Sequence, residues 1–403
     1  MVTQQRDAAI VGIYEYPLRK IENGLTPLQI KAESAGRALE DAGLTWSDID
    51  AIYDAGDGSG GGMGGLSIAE YFGLKPNVID TTAVGGSSFE FHAAHAKRDI
   101  ASGKARVALL SYGSMAHSQT FRIGTGGGGR MGAGVASPVG NMEDSWGMTL
   151  ISNYAMVAQR HMHQYDTTPE QLAEISVTTR AHAMRNPEAV QTMKDLELLP
   201  GAREITVEDV LASRMIADPL HLLESCIISD GGGAVIIAAA DVARDCRQKP
   251  AWLLGTGEAT KYPENGGDIT TTAAAQSAPS AFGEAGVTPD EIDIAMIYDS
   301  FTITVLTIIE DLGFCKKGEG GSFVEGGRLR FDAPGGPALN TDGGGLSSNH
   351  PGMRGIFLLI EAARQLRGQS SSQVPDASLA VAHGNGGMLG TRHAAATIIL
   401  GRD

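Results

Sequence analysis

Residues 38–54 read ALEDAGLTWSDIDAIYD, and residues 280–299 read SAFGEAGVTPDEIDIAMIYD. Each combines an amphipathic helix ending in Ala-Gly, a threonine turn with an acidic cap, and a strand ending in Ile-Tyr-Asp. The two copies lie roughly half the chain apart. Other stretches echo each other too: AAIVGI from Ala8 resembles AWLLGT from Ala251, and VALLSYG from Val107 resembles LAVAHG from Leu379. Self-similarity of this kind predicts gene duplication and two similar α/β halves facing each other. Short apolar strands alternating with helical segments give an α/β fold class. The expected halves are residues 1–245 and 246–403.

A charged, helix-rich insert is expected at about 140–225 within the first half. Residues 154–165 and 168–186 both show helical periodicity. Pro169 and Glu170 directly after Thr168 form a helix-start signature. After the insert, Ser229-Asp-Gly-Gly-Gly-Ala-Val-Ile-Ile-Ala turns into a buried strand that closes the first half.

The whole chain sets further bounds. At 403 residues it is long enough for two packed domains. Hydrophobic residues at 42% and charged residues at 19% fit a globular protein. No apolar run approaches the roughly 20 residues needed to span a bilayer. The start, Met1-Val-Thr-Gln-Gln-Arg-Asp, carries no signal-peptide pattern. A cytoplasmic protein with no membrane partner is therefore expected. Cys226, Cys246 and Cys315 are scattered and form no CxxC pair, so neither a zinc site nor a disulfide framework is suggested. A net charge of −16 argues against nucleic acid as a partner. It leaves room for an anionic small ligand held by a local basic patch and helix N-termini.

The 54 glycines cluster at 56–65, 124–134, 231–233, 335–345 and 384–390. Glycine lets backbone approach a ligand closely, so 340–352 and 384–390 are read as loops walling an active site. The stretch 124–134 is read as a mobile loop. Residues 58–65 lack the strand–GxGxxG–helix context of a dinucleotide site. In 340–352, Asn-Thr-Asp-Gly-Gly-Gly-Leu-Ser-Ser-Asn-His350-Pro-Gly, a histidine stands between a glycine-rich turn and an expected helix over 356–366. Imidazole is the side chain best suited to move a proton near neutral pH.

Taken in order, Gly85-Gly-Ser-Ser with its helix to Gly103, Gly147-Met148, Ser229-Asp-Gly-Gly, Tyr298-Asp-Ser-Phe301, Asn340 to Gly352, and His383-Gly-Asn-Gly-Gly-Met388 resemble the thiolase superfamily over nearly the whole chain. Glu310-Asp-Leu-Gly-Phe-Cys-Lys-Lys-Gly and Glu361-Ala-Ala-Arg-Gln-Leu-Arg-Gly resemble its lipid-transfer or sterol-carrier branch. The resemblance implies a thiolase fold, with two duplicated halves in a five-layered α-β-α-β-α core carrying a helical loop insert. It also implies a homodimer, an OB-fold/zinc-ribbon partner in an α2β2 assembly, and a coenzyme A thioester as substrate. No metal and no tightly bound cofactor are expected.

Thiolases place a nucleophilic cysteine at the start of the helix after the third strand, where a thiolate is favoured. The matching position is Gly86, or Gly85, and neither has a side chain. Ser87 follows and is read as a helix cap or a ligand hydrogen-bond donor, with a substitute nucleophile as the alternative. Cys226 is read as a small buried residue. His383 stands near the family's acid/base cysteine; the competing reading is a structural histidine. Tyr298 replaces a residue that helps hold the substrate oxyanion, against a reading as a packed strand-end aromatic. Asp299 is read as structural. By resemblance His350 polarises the thioester carbonyl and assists proton transfer. Backbone near Gly85, Gly86, Gly386 and Gly387, with Ser87, Met148 and Asn385, completes the expected substrate site.

Without a thiolate no acyl-enzyme forms readily. An oxyanion site with Tyr298, His350 and His383 suffices for retro-aldol cleavage of a β-hydroxyacyl-CoA, the chemistry implied by a likeness to steroid side-chain aldolases. A histidine at 350 in place of a second tyrosine departs from them. Two alternatives stand beside this reading. One is a thiolase-type acyltransferase with an atypical nucleophile. The other is a non-catalytic acyl-CoA or lipid-binding subunit, which the missing cysteine favours and the retained Tyr298, His350 and His383 oppose.

Overall fold

A computed structural model of the protein describes residues 6–22, 24–56, 64–119, 149–262 and 267–403. In chain order the strands of the first half are β1 (Ala8–Glu15), β2 (Ala51–Tyr53), β3 (Val78–Asp80) and β4 (Val107–Ser114). A small hairpin, β5 (Met215–Ala217) and β6 (Leu220–His221), precedes β7 (Gly231–Ala239). Then come β8 (Ala251–Lys261), β9 (Ile294–Ile297), β10 (Ala338–Leu339), β11 (Leu379–Met388) and β12 (Arg392–Gly401).

The large sheet runs β10-β9-β11-β12-β8-β1-β7-β4-β2-β3. Its two ends follow one plan. From β1 outward the order is β1-β7-β4-β2-β3, and from β8 outward it is β8-β12-β11-β9-β10. β2 pairs in parallel with β3 and β4, and β9 pairs in parallel with β10 and β11. The seam between the ends is short: Ala9 faces Trp252 and Ile10 faces Ala251.

The repeated residues account for the repeated architecture. Helix α1 (Pro27–Ala42) opens with a Thr26–Gln29 capping box and Pro27, a favoured start. It ends at Gly43 with φ 76°. The helix over Ala274–Ala285 ends at Gly286 with φ 68°, so the Ala-Gly of each copy is a left-handed C-cap. The glycine of each first strand is a contact point. A Cβ at Gly12 would lie 2.1 Å from the Ala38 carbonyl oxygen, and one at Gly255 would lie 2.0 Å from that of Ala281. Only glycine lets each outer helix lie that close to its strand.

Helix α2 (Ser88–Ala101) packs against β4 and β7 of the first half and against β11 and β12 of the second. The insert supplies α3 (Leu150–Tyr165) and α4 (Pro169–Ala183), and the second half supplies α5 (Ala274–Ala285), α6 (Thr302–Asp311) and α7 (Gly355–Arg367). Like α2, α7 touches strands of both halves, whereas α1 covers β1, β4 and β7, and α5 covers β8 and β12. The layers are thus helix, sheet, helix, sheet, helix. β7 is buried along almost its whole length, as expected for an apolar strand covered on both faces.

The insert is anchored through the Glu310 motif. Glu310 receives His161 Nε2 of α3 at 3.1 Å and the backbone N–H groups of Gly318 at 3.0 Å and Gly320 at 2.8 Å. It also pairs with Lys317 at 3.1 Å. Asp230, in the Ser229-Asp-Gly stretch, accepts from the N–H groups of Ile21, His117 and Ser118. One expectation is corrected. Residues 384–388 belong to strand β11 rather than to a loop, because β11 pairs with β12 without a break from Leu379 to Met388. Met148, Gly147, residues 124–134 and residues 57–63 lie outside the described residues. Among the described residues no helix is long and apolar enough to cross a membrane.

One ion cluster joins the halves across α2. His95 Nδ1 bonds Asp80 of β3, and its Nε2 lies 3.4 Å from Glu258 of β8. The bond to Asp80, then that to Glu258, raises the His95 pKa to about 9. A group whose folded pKa is raised stabilises fully below its unfolded value of about 6.5, and that stability is lost as pH rises through the folded value. His95→Gln is expected to melt several degrees below the parent at pH 6, with the gap closing as pH passes 9. Thermal melts across that range check this; a pH-independent gap would refute it.

Candidate active site

The end of β9 is set by a side chain acting as backbone. Asn340 Oδ1 accepts from Ile297 N–H at 2.8 Å, and its Nδ2 donates to Ile297 C=O at 2.8 Å. Asn340 has φ 43°, tolerable for asparagine. This continues the sheet edge to Tyr298, whose own N–H donates to the His383 carbonyl at 3.0 Å.

The loop bearing His350 is held by buried charge. Arg354 lies 2.5 Å from Asp342 and 3.3 Å from Asp299, and all three are buried. Its guanidinium also donates to the Asn349 carbonyl at 3.0 Å and side-chain oxygen at 2.8 Å. Asp299 in turn accepts from Gly345 N–H at 2.8 Å. The His350 N–H donates to Ser229 Oγ at 3.1 Å. The residue after Tyr298 and the residue before His350 are thereby tied to one cation.

That clamp brings Tyr298 and His350 together. The phenol oxygen lies 2.9 Å from His350 Nε2, with the rings edge to face at 5.6 Å between centroids. Burial, then the charge of Arg354, lowers the His350 pKa to about 4. Burial pushes the Tyr298 hydroxyl well above its ordinary range. An imidazole held neutral in this way can accept the phenol O–H at Nε2 in the tautomer that carries its own proton on Nδ1.

Gly86 lies under the Tyr298 ring. A Cβ on Gly86 would be 2.3 Å from Cε2 and Cζ of Tyr298 and 2.5 Å from its hydroxyl. The ring thus fills the space that a side chain at 86 would need. Gly85 has φ 73°, a left-handed conformation suited to glycine. Ser87 occupies the N-cap position of α2, but its side chain makes no capping hydrogen bond. Its hydroxyl faces two carbonyl oxygens, Ala394 at 3.0 Å and Val84 at 3.2 Å, and its one proton is committed there rather than to a ligand.

Strand β11 closes against this turn. A Cβ on Gly386 would meet the Val84 carbonyl oxygen at 1.8 Å, and one on Gly384 would meet Ser87 Cα at 2.7 Å. Gly387 has φ 104°. Side chains alternate along a strand, so His383 and Asn385 project from the other face. His383 Nδ1 bonds Thr397 Oγ1 at 2.8 Å, and its Nε2 has no hydrogen-bond partner among the described residues. Burial lowers its pKa to about 3. Asn385 Nδ2 donates to the Tyr154 hydroxyl at 3.3 Å, which itself donates to the Gly387 carbonyl at 2.9 Å.

Among the sequence-derived candidates, Tyr298, His350, Gly85, Gly86, Gly386 and Gly387 come together. His383 is adjacent through backbone, Asn385 lies one residue from the Gly386 contact, and Met148 is outside the described residues. Tyr154 was missed. It sits in the insert, far away in sequence, and nothing in its helical pattern separates it from a core aromatic. Arg354 was also missed, although its place four residues after His350 and just before the helix was legible. Cys226 is buried and close enough to Tyr298 to act on it electrostatically.

Residues 255–402 match a protein family described as Thiolase C-terminal domain-like. The chain is 35% identical to an acetyl-CoA acetyltransferase of Methanothermobacter thermautotrophicus, over 96% of this chain and 98% of that one. It is 31% identical to a steroid side-chain-cleaving aldolase of Thermomonospora curvata, over 92% of each. Among solved structures, the Ltp2-ChsH2(DUF35) aldolase superposes with a TM-score of 0.85 at 28% identity, covering 99% of both chains.

The contact between Gly86 and Tyr298 is testable as a coupling. Overpacking a buried site costs about 1–3 kcal/mol, so Gly86→Ala is expected to lose about that much stability. In Gly86→Ala/Tyr298→Ala the added methyl meets no ring, and the loss is expected to fall short of the sum of the single losses by about 1 kcal/mol or more. Denaturant melts of the four proteins measure this, and additive losses would overturn the steric account.

Proposed function

Because this chain belongs to the thiolase superfamily, we propose that it cleaves the Cα–Cβ bond of a β-hydroxyacyl-CoA by a retro-aldol reaction. One observation carries the reading: the Tyr298 hydroxyl, bonded to His350 Nε2 at 2.9 Å, stands against Gly86. A proton-moving pair occupies the place where a nucleophile would have to be.

The substrate hydroxyl gives its proton to Tyr298 Oη as the phenol proton passes to His350 Nε2. The oxygen lone pair forms a carbonyl, the Cα–Cβ bond breaks, and its electrons form the thioester enolate. Backbone N–H groups around Gly85–Gly86 and Gly386–Gly387 receive the enolate oxygen. The proton then returns from His350 through Tyr298 to Cα. The products are a carbonyl compound and a shorter acyl-CoA, and free CoA takes no part. Asn385 and Met148 belong to the substrate site in this reading, whereas His383, bonded to Thr397 on the other face of β11, takes the structural role.

A homodimer core with an OB-fold/zinc-ribbon partner, as an α2β2 assembly in the cytoplasm, belongs to the same proposal. The two-part name of the solved aldolase, Ltp2-ChsH2(DUF35), supports a second polypeptide. A second reading, acyl transfer to free CoA, draws support from the acetyl-CoA acetyltransferase relative. It would need a nucleophile, and Ser87 faces carbonyl oxygens rather than a base.

Two outcomes are expected from the chain co-expressed with its OB-fold partner and given β-hydroxyacyl-CoA and β-ketoacyl-CoA thioesters, with products read by mass spectrometry. The β-hydroxyacyl-CoA is cleaved without free CoA, and Tyr298→Phe and His350→Ala each lose about 100-fold or more in kcat/KM. Cleavage of β-ketoacyl-CoA alone, and only with free CoA, would replace this reading with the acyltransferase one. Binding without turnover of either would favour a non-catalytic subunit.

The pH profile is a separate check. The relay needs unprotonated Nε2, so activity should persist through mildly acidic pH and fall only as pH drops through about 4, the His350 value. An acid limb near 6.5, the ordinary histidine range, would exclude His350 as the acceptor.

A further inference from the structure

Glu90 is fully buried on α2, one turn after Gly86. Neither carboxyl oxygen has a hydrogen-bond partner among the described residues. The sequence Ser87-Ser-Phe-Glu90 has the spacing of a capping box, in which the glutamate would reach back to the helix start. Instead the side chain turns into the central layer.

Two glycines make room for it. A Cβ on Gly384 of β11 would lie 2.1 Å from Glu90 Oε2, and a Cβ on Gly355 at the start of α7 would lie 2.4 Å from the same oxygen. That Gly355 point is also 2.5 Å from the Gly86 carbonyl oxygen. A carboxyl oxygen and a backbone carbonyl oxygen thus face one small space. Two acceptors with no proton between them repel, whereas a protonated carboxyl has an O–H to donate. An ionised carboxylate in such a place would also lack the donors that make burial tolerable.

We propose that Glu90 is a positioning residue that works as an uncharged carboxylic acid, linking the Gly85–Ser88 turn to β11 and α7, and that its ionisation switches off the enolate site. This rests on the retro-aldol reading for its activity readout only. A negative charge one helical turn from Gly86 opposes the enolate that the neighbouring N–H groups stabilise. It also leaves a carboxylate oxygen and the Gly86 carbonyl oxygen, both acceptors, facing the same small space.

The electrostatic setting agrees. Burial raises the Glu90 pKa well above the carboxylate range, opposed only by its own backbone N–H. Ionisable groups stand on the elements around it: His92 on α2, Tyr112 on β4, Glu258 on β8, His383 on β11, and Arg354 and Glu361 on either side of the α7 start. None of these contributes to its shift. His92 is turned to the Thr82 carbonyl, and Arg354 is engaged by Asp299 and Asp342.

Glu90→Gln, in the full chain with its partner protein, keeps the shape and the uncharged state. Its kcat for β-hydroxyacyl-CoA cleavage at neutral pH is expected within about threefold of the parent. The parent should lose activity on an alkaline limb that the variant lacks. A variant more than tenfold slower at neutral pH, with its alkaline limb unchanged, would overturn the proposal. An infrared measurement is independent of activity: the parent at neutral pH should show a protonated-carboxylic-acid C=O band that is absent from Glu90→Gln. A missing band in the parent overturns the proposal even where cleavage is seen. A parent that shows the band but cleaves no β-hydroxyacyl-CoA overturns the retro-aldol reading and leaves Glu90 uncharged.

Discussion

Arg354 is the group on which the centre depends. Its guanidinium is buried between Asp299 and Asp342 and holds Asn349. Asn349 continues the network to Glu15 on β1 at 2.8 Å, and Glu15 pairs with Arg19 and, at 2.7 Å, with Arg364 on α7. Breaking a buried ion pair from one side leaves an uncompensated charge and costs about 3–5 kcal/mol. The cluster therefore resists local opening and keeps His350 against Tyr298. Burial does most to lower the His350 pKa and the same charge adds to it, so one residue fixes where the imidazole stands and reinforces the burial that keeps it neutral.

On the thiolase resemblance, a glycine at 86 where a cysteine is expected is one half of an exchange. Tyr298 brings a phenol into the site, and its ring needs the volume that any side chain at 86 would fill. The tyrosine ring in this place requires a glycine at 86, so restoring a cysteine at 86 without removing the ring would not restore a thiolase nucleophile. Gly386 and Gly384 extend the same logic on the facing strand, where backbone meets backbone without room for a methyl.

Much of the fold was legible because the duplication repeats contacts as well as residues. Gly12 with Ala38, and Gly255 with Ala281, are the same close approach at matching places. Tyr298 and His350 were each singled out by a motif, but the hydrogen bond between them was not legible. Other features were not legible because they are three-dimensional matches between distant residues. Nothing in Gly85-Gly-Ser-Ser indicates that Ser87 would face the Ala394 carbonyl across the central layer. Glycines at 384–387 read as a loop because a strand built of glycine is rare; the reason they are glycines lies on the opposing turn. Glu90 had the spacing of a capping residue and took another place because Gly384 and Gly355 left a space for it.

Among the described residues, the buried ion pairs next to this centre belong to the Arg354 cluster, and Tyr298 and His350 are uncharged. Tyr298 is held as a phenol, His350 as a free imidazole, and burial does this to both. Forming either ion alone in such a place is costly, which disfavours a mechanism that waits on a stable tyrosinate or imidazolium. A proton passed along a hydrogen bond already in place, from substrate to phenol to imidazole, avoids a lasting charge on the tyrosine. On the proposed reading the new negative charge develops on the enolate oxygen, and fixed backbone dipoles are suited to receive it because they need no reorganisation. A carboxylate at Glu90 would be a second negative charge beside that oxygen, and an uncharged acid there is the state consistent with the rest of the centre.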